Sequence, residues 1–510
     1  MPLQRLGACA VTLFPYLFIE VNSMQAKKPT ALNWIGGSWV GADTVHDSIN
    51  PATYEVIGSY ADGGEGAAVA SIAAAKRAFF ETPWERDRQL RARVLNQLAD
   101  AFERHHDDLV EMLSTENGKV KGEAAFEVGM VPSKLRFYAS LVRCDYGRAV
   151  EPKPGSLSLV LRQAMGVAGV IVPWNSPVVL LIRSLAPALA AGCTSVVKMP
   201  GQSAQVASLI CKVMSEVTDL PAGVINFFSE QHSEGSRYVI ASPDVPVISF
   251  TGSSATGRAI SAVGAKYIKR FGLELGGKTP MLVFDDADVD ATVPVLLRAL
   301  TVFAGQFCMT GSRLLVQCGV ADAIREKLAA RLRAVKVGPA SDPASEMGPL
   351  IDKPNVARID KIVEGAMAAG ARVVVRGGPV TEGALAKGAF YRPTLLEVTD
   401  SKLDIVQQET FGPVLTMQVF DTEAEAIALA NDSEYGLAAS IWTRDIERSF
   451  RIAREIDAGT IWINDWAVIY DECEEGGFKQ SGLGRMNGIA VIDDFIEYKH
   501  VTLSHGAVPK

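Results

Sequence analysis

No stripe of lysine and arginine runs through this chain of 510 residues, in which 58 acidic side chains outnumber 50 basic ones for a net charge of -8. A binder of nucleic-acid phosphates needs a concentrated positive face, so nucleic acid is not an expected partner. Cysteine is sparse as well. Cys9, Cys144, Cys193, Cys211, Cys308, Cys318 and Cys473 stand far apart, in neither the pairs of a disulfide framework nor the spacings that hold a metal ion. That scatter suits a reducing cytoplasm and predicts no metal site. Beyond the first 23 residues no stretch reaches the ~20 apolar residues of a membrane span, so no membrane partner is expected. The dinucleotide fingerprint GxGxxG is absent too.

The exception at the start is Arg5 followed by GACAVTLFPYLFI, which has the outline of a short signal peptide. Pro15 interrupts it, no clear small-residue cleavage site follows, and Met24 opens a polar stretch, QAKKPTALNW. Residues 1–27 are read as an extension, either disordered or the product of an upstream start.

The whole chain is 48% apolar and 21% charged, too long for one small core, and so two or three domains are expected. Leu90, Val94, Leu98, Ala101, Phe102, Leu109 and Leu113 recur at helical spacing in a charged background. From residue 167 the texture becomes β/α alternation: VAGVIV, an apolar helix through VVLLIRSLAPALAAG, TSVVKM, a second helix, then GVINFF and VPVISF. Such alternation predicts a doubly wound parallel sheet. A second alternation, PMLVF, VPVLLRALTVFAG and RLLVQ, follows Glu274 and predicts a second α/β layer.

Five segments carry chemistry. VPWN ends at Asn175, LELGGK contains Glu274, GQFCMTGSR contains Cys308, QQETFGPVL surrounds Glu409, and GGFKQSGLGR occupies 476–485. A thiol, an amide and a carboxylate, with a bound hydride acceptor, can take an aldehyde to an acid through a thioester. Taken alone, a cysteine in a Gly-rich turn is more often core filler, Asn175 fits a turn before Pro177, and a Glu at a strand end is usually solvated. Together and in this order, the segments resemble the aldehyde dehydrogenase superfamily, over a span from WIGGSW at Trp34 to EYKHV at 497–501.

The resemblance implies an aldehyde dehydrogenase-like α/β fold. Residues 28–142 and 164–276 would form a doubly wound, parallel-sheet cofactor domain, 277–478 a second α/β catalytic domain, and 143–163 with 489–510 a small bridging β sheet. That sheet joins subunits in the family, so a homodimer or homotetramer is expected. The resemblance further implies that Cys308, as thiolate, attacks the aldehyde. A free cysteine has a pKa of about 8.5, so the site must favour the anion. The Asn175 amide and the Cys308 backbone N–H would receive the oxyanion, and Glu274 would activate the water that cleaves the thioester.

The same resemblance distributes the cofactor site. Lys198 would bond the adenosine ribose. Gly252, Ser253 and Gly257 of FTGSSATG would start a helix that receives the pyrophosphate. Trp174, Glu409 and Phe411 would hold the nicotinamide end. Where many NAD-preferring relatives place a Glu three residues after the lysine, this chain has Gly201. That removes a like-charge penalty against a 2′-phosphate, although Glu230 can restore it from another direction. The cofactor read here is NAD, with NADP admissible.

For the substrate, Ser176 stands where the family often has an aromatic residue, and Arg183 follows Asn175 by eight positions. Val179, Phe307, Trp466, Ile469 and Glu475 complete the expected tunnel, with Cys473, Glu475, Trp466 and Ile469 shaping its mouth. Arginine at this offset resembles semialdehyde enzymes, where it binds a distal carboxylate, and aromatic-aldehyde enzymes of the salicylaldehyde and vanillin kind. The small Ser176 favours the second group, and Val302, where succinate semialdehyde enzymes carry a further arginine, weakens the first. The leading expectation is an aromatic or bulky apolar aldehyde. A carboxylated semialdehyde is the nearest alternative, and a non-catalytic binding or structural protein is the alternative from another class. Ser184 and Met486 replace a Lys and a Glu common in relatives, a joint loss that leaves no lone buried charge.

Overall fold

The structure, a computed structural model, describes residues 28 to 504, so the reading of residues 1–27 and the end of 489–510 lie outside the described residues. Its centre is an eight-stranded sheet in the order Gly482–Leu483, Arg270–Glu274, Val247–Thr251, Val167–Ile171, Thr194–Pro200, Ile225–Glu230, Asn33–Ile35, Ser38–Val40. The middle five strands are parallel. Val167–Ile171 and Val247–Thr251 are buried at every position, as expected of strands covered on both faces. Gly64–Glu81, Glu234–Ala241 and Ser254–Gly264 cover one face, and Pro177–Ala191 with Ala204–Ser215 cover the other.

Behind that second face pack Arg88–Arg104 and Lys121–Val142. The helical spacing from Leu90 onward resolves into two helices, Arg88–Arg104 and His106–Asn117, which break at His105. Asp87 starts the first by accepting a bond from Leu90 N at 2.9 Å, and Gly118, at φ +84°, ends the second.

A seven-stranded sheet forms the second layer, in the order Arg372–Val375, Thr394–Glu397, Val414–Phe420, Gly311–Gln317, Thr279–Val283, Ala438–Trp442, Thr460–Ile463, parallel except for its first strand. Residues beyond 478 return to the first sheet, where Leu483 and Gly482 pair with Leu273 and Glu274. A third, antiparallel sheet joins Ile496–Ser504, Ser156–Ala164 and Arg148–Lys153.

These connections decide where chemistry can sit. Trp174, Lys198, Gly252 and Glu274 all lie at or just past the carboxyl ends of parallel strands in the first sheet, the usual ligand crevice of such folds. Gly277, Cys308 and Phe411 lie just before strands of the second sheet. The two sets face each other across the junction of the sheets.

Candidate functional site

Cys308 sits between the turn Val302–Gly305 and the strand Gly311–Gln317. Phe303, Ala304 and Gly305 all have positive φ (+51°, +53°, +71°), and the first two are strained as non-glycine residues. Gly305 is required, because a β-carbon there would meet the Gly412 carbonyl carbon at 2.3 Å. The strained turn is held from outside. Phe303 N donates to Glu123 Oε1 at 2.9 Å, and Lys119 Nζ stands 3.6 Å from the centre of the Phe303 ring.

Asn175 is buried, and its Nδ2 donates to the Gln306 carbonyl at 3.0 Å, which brings the amide beside the cysteine turn. Two glycines of LELGGK lock the remaining pieces together. A β-carbon on Gly276 would lie 2.6 Å from Glu409 Oε2, and one on Gly277 would lie 2.4 Å from the Cys308 carbonyl oxygen. Gly277 N also donates to Glu409 Oε1 at 3.1 Å. Three separate sequence motifs therefore meet at a pair of residues without side chains.

Glu274 is buried, and its Oε2 has no hydrogen-bond partner. Burial pushes its carboxyl up to about 7 against the pull of Arg183, and Glu475 adds to the rise. Burial likewise pushes the Cys308 thiol up to about 12, with Arg183 drawing it down and Glu274 opposing. At rest this is a thiol beside a carboxyl group poised to exchange a proton near neutral pH.

On the cofactor side, Ser253 caps the helix Ser254–Gly264, accepting from Thr256 N at 3.2 Å. Gly257 lies against Leu275, where a β-carbon would come within 2.6 Å. Trp174 meets Phe411 edge-on at 5.4 Å, and its carbonyl accepts from Asn117 Nδ2 at 2.6 Å. Lys198 Nζ ends 3.9 Å from Glu230 Oε1. Glu230 itself is turned into the start of the helix Glu234–Ala241, accepting from Gly235 N at 2.8 Å and Ser236 N at 3.1 Å, so it is committed to a cap. Gly201 lies under Tyr60, whose Oη would be 2.2 Å from an added β-carbon. A helix N-terminus, a lysine and a Glu–Phe–Trp set along one crevice fit a nicotinamide dinucleotide.

A chamber of about 460 Å³ opens on Cys308, and Ser176, Val179, Arg183, Phe307, Trp466, Ile469 and Glu475 all line it. Ser176, Val179 and Arg183 project from one side of the helix Pro177–Ala191 and its start. Phe307 stacks edge-on between Phe303 (5.8 Å) and Trp466 (5.9 Å), and Phe126 closes another wall. Two expectations about the mouth need correction. Glu475 is only 5% exposed and lies deep, donated to by Arg183 Nη1 at 2.8 Å, while Cys473 is exposed and does not line the chamber. Trp466 is also buried, with its Nε1 donating to the Met309 carbonyl at 3.0 Å.

Ser184 and Met486 lie close together: Ser184 Oγ accepts from Ser249 Oγ at 2.9 Å, Ser249 pairs with Gly272, and Met486 packs on Gly272. The ion pair Arg183–Glu475 stands beside them, Arg183 next to Ser184 in sequence and Glu475 bridged to Met486.

Sequence reasoning missed one wall. Glu123, Phe126, Glu127, Met130 and Lys134 of the helix Lys121–Val142 face the chamber. Glu127 forms a buried ion pair with Lys119, and its Oε1 accepts from Val178 N (2.9 Å) and Val179 N (3.3 Å), fixing the start of the Arg183 helix. Lys119 Nζ also donates to Ser176 Oγ at 3.0 Å. Helical spacing was the available signal, but no motif marked it.

Comparison with known proteins agrees with this arrangement. The model of the aldehyde dehydrogenase family matches residues 39–501. The chain is 36% identical over 472 residues to a betaine aldehyde dehydrogenase of Bacillus subtilis, covering 92% of this chain and 96% of the relative. It is 35% identical over 489 residues to an NADP(+) succinate-semialdehyde dehydrogenase of Escherichia coli, covering 95% and 100%. Among solved structures, betaine aldehyde dehydrogenase from Staphylococcus aureus in complex with NAD+ superposes with a TM-score of 0.91 at 34% identity, over 94% of this chain and 96% of that one.

Proposed function

The chain belongs to the aldehyde dehydrogenase family and is an NAD(P)-dependent oxidoreductase of aldehydes, and from that premise we propose that its substrate is an aromatic or bulky apolar aldehyde. The observation that carries this reading is the chamber on Cys308, walled by Phe126, Phe303, Phe307 and Trp466. Its one deep guanidinium, Arg183, already faces the carboxylate of Glu475 at 2.8 Å. A distal carboxylate bound there would have to displace that partner and leave Glu475 buried and unpaired, at a cost of several kcal/mol, and the other guanidinium lining the chamber, Arg298, is exposed.

In the proposed reaction the Cys308 thiol passes its proton to Glu274, and the sulfur attacks the aldehyde carbon. The oxyanion that forms is received by the second N–H of Asn175 Nδ2 and by the Cys308 backbone N–H. NAD(P)+ bound in the crevice supplies the hydride acceptor. Cys308 then carries the acyl group as a thioester. Glu274, having released the thiol proton to solvent, takes a proton from water, the hydroxide attacks the thioester carbon, and the acid departs as the sulfur regains its electron pair. With Glu274 in place, water rather than a thiol carrier takes the acyl group.

A second reading has its own support. Glu123 and Glu127 lie among the chamber aromatics, and Glu123 Oε2 has no partner, a setting that suits a cationic tail such as that of betaine aldehyde. Purified protein assayed for NAD and, separately, NADP reduction with benzaldehyde-type, long aliphatic, carboxylated and betaine aldehydes decides between these. The highest kcat/KM is expected for aromatic aldehydes, abolished in Cys308→Ala. Preference for a semialdehyde would restore the carboxylate role of Arg183, and absence of any turnover would favour a non-catalytic binding role.

The exposed sheet Arg148–Lys153, Ser156–Ala164, Ile496–Ser504 displays Val150, Leu161, Val501 and Leu503 to solvent. That edge supports a homodimer or homotetramer, which light scattering on the full chain would test. Among the described residues no helix is long and apolar enough to cross a membrane. The free thiols at Cys144, Cys193, Cys211, Cys308, Cys318 and Cys473 support a cytoplasmic location.

A further inference from the structure

Two buried carboxylates compete for one guanidinium at the floor of the chamber. Arg183 Nη1 lies 2.8 Å from Glu475 Oε1 and 3.8 Å from Glu274 Oε2, and Arg183 Nη2 donates to Thr251 Oγ1 at 3.0 Å. Side-chain exposure is 5% for Arg183, 3% for Glu274 and 6% for Glu475, so water does little to screen the three charges. Glu274 Oε2, Glu475 Oε2 and Arg183 Nε have no hydrogen-bond partner. Without Glu475, only the bond from Nη2 to Thr251 Oγ1 restrains Arg183, and the 3.8 Å separation of Nη1 from Glu274 Oε2 can close into a charge-assisted pair. Such a pair would cost Glu274 both its basicity and its free oxygen.

We propose that Glu475 is a positioning residue for deacylation: by holding Arg183, it keeps the guanidinium off Glu274 and leaves that carboxylate available to the attacking water. This rests on the reading of Glu274 as the base. The groups that face Glu274 are Arg183 from the helix Pro177–Ala191, Glu475 and Arg485 from the segment on either side of Gly476–Gly484, and Cys308 from its turn, with Glu409 standing against neighbouring Gly276. Of these, Arg183 and Arg485 draw the Glu274 carboxyl down, and Glu475 raises it.

An activated ester isolates the step without any cofactor. With p-nitrophenyl acetate the Cys308 thiol gives its proton to Glu274 and the sulfur bonds to the acetyl carbon, nitrophenolate leaves with the C–O electron pair, and Glu274 releases the proton to solvent. Water then adds, giving its proton to Glu274, and acetate leaves as the thiolate returns. The nitrophenolate burst reports acylation, and the steady rate per titrated site reports deacylation. For Glu475→Gln the burst is expected to slow at low pH, because Glu274 also takes up the thiol proton, and to recover as pH rises and hydroxide ionises Cys308 directly. The deacylation plateau should fall tenfold or more, and its rising pH limb should move down by about one unit, because Glu274 gains a cation and loses a like charge. Adding Arg183→Met removes that cation. The double variant should deacylate faster than Glu475→Gln at high pH, with its limb above that of wild type.

A purely structural role for Glu475 would lower the plateau and leave the limb in place. An unmoved limb in Glu475→Gln, or a double variant no faster than the single one, would overturn the proposal. If Glu475→Gln fails to fold by thermal melt, the double variant carries the test, since it removes Glu475 and its partner Arg183 together; a limb unmoved from that of wild type overturns the proposal there too. Failure of the substrate reading stays separate, because it would show as poor aldehyde turnover with this ester chemistry intact.

Discussion

The backbone of Gly277 lies so close to Cys308 that a β-carbon added to Gly277 would stand 2.4 Å from the Cys308 carbonyl oxygen. Real carbon–oxygen contacts are longer, so Gly277→Ala must push the cysteine turn away. Its other side offers no slack, because Gly305 is packed on the Gly412 backbone. A displacement near 1 Å at a reacting atom costs about 100-fold in rate. Gly277→Ala is therefore expected to fold, as judged by circular dichroism, while kcat for the preferred aldehyde falls by about that factor.

Asn175→Ala removes the side-chain donor nearest the turn. Loss of one oxyanion donor costs about 2.7 to 4 kcal/mol, or 10²- to 10³-fold in kcat. The lost bond to the Gln306 carbonyl adds about 1 kcal/mol of lost stability. Because the oxyanion forms first in acylation, rapid-mixing measurements should show a slowed burst in this variant. A slow steady state behind a normal burst would count against the assigned role.

The legible part of this molecule was the part written in contiguous strings. The parallel strands were readable because two-sided burial makes VAGVIV apolar throughout and keeps Val196, Val197 and Met199 in TSVVKM, and the motifs around Asn175, Glu274, Cys308 and Glu409 were readable because turn and glycine requirements keep them local. The wall from Glu123 to Lys134 was not, since Phe126 and Met130 are interleaved with charged residues on an amphipathic-looking helix and only tertiary packing turns them toward the chamber. The sequence places Glu475 at the mouth through the unusual CEE segment before GGFKQSG, whereas the structure buries it. Its partner Arg183 lies 292 positions away in sequence, and no local pattern announces a pair at that distance.

At the adenosine end, Gly201 is more than a missing carboxylate. An added β-carbon would lie 2.2 Å from Tyr60 Oη, and that hydroxyl donates to Gln231 Oε1. Gly201→Glu alone is expected to weaken binding of NAD and NADP alike, because Tyr60 must move. Combined with Tyr60→Ala the new carboxylate has room, and repulsion of the 2′-phosphate should raise the ratio of NADP to NAD dissociation constants at least tenfold, about 1.4 kcal/mol. Calorimetric titration of each cofactor checks this. An unchanged ratio in the double variant would mean that the ribose hydroxyls lie elsewhere.

The pH dependence of deacylation follows from Glu274. An exposed glutamate loses its proton near 4.3, but burial pushes this one up to about 7, and only the deprotonated form accepts a proton from water. The deacylation rate should therefore rise about tenfold per unit below pH 7 and flatten above it, leaving roughly one-hundredth of the plateau at pH 5. Glu274→Gln keeps the shape of the side chain and cannot accept that proton, so it should lose this limb and the plateau together. Its ester burst, slower without the carboxylate that takes up the thiol proton, should recover as pH rises, because hydroxide can ionise Cys308 directly. A wild-type limb near pH 4.5 would instead place Glu274 in contact with bulk water during turnover. Proton uptake would then need another group, and of those facing Cys308 only Glu409 and Glu475 carry carboxylates.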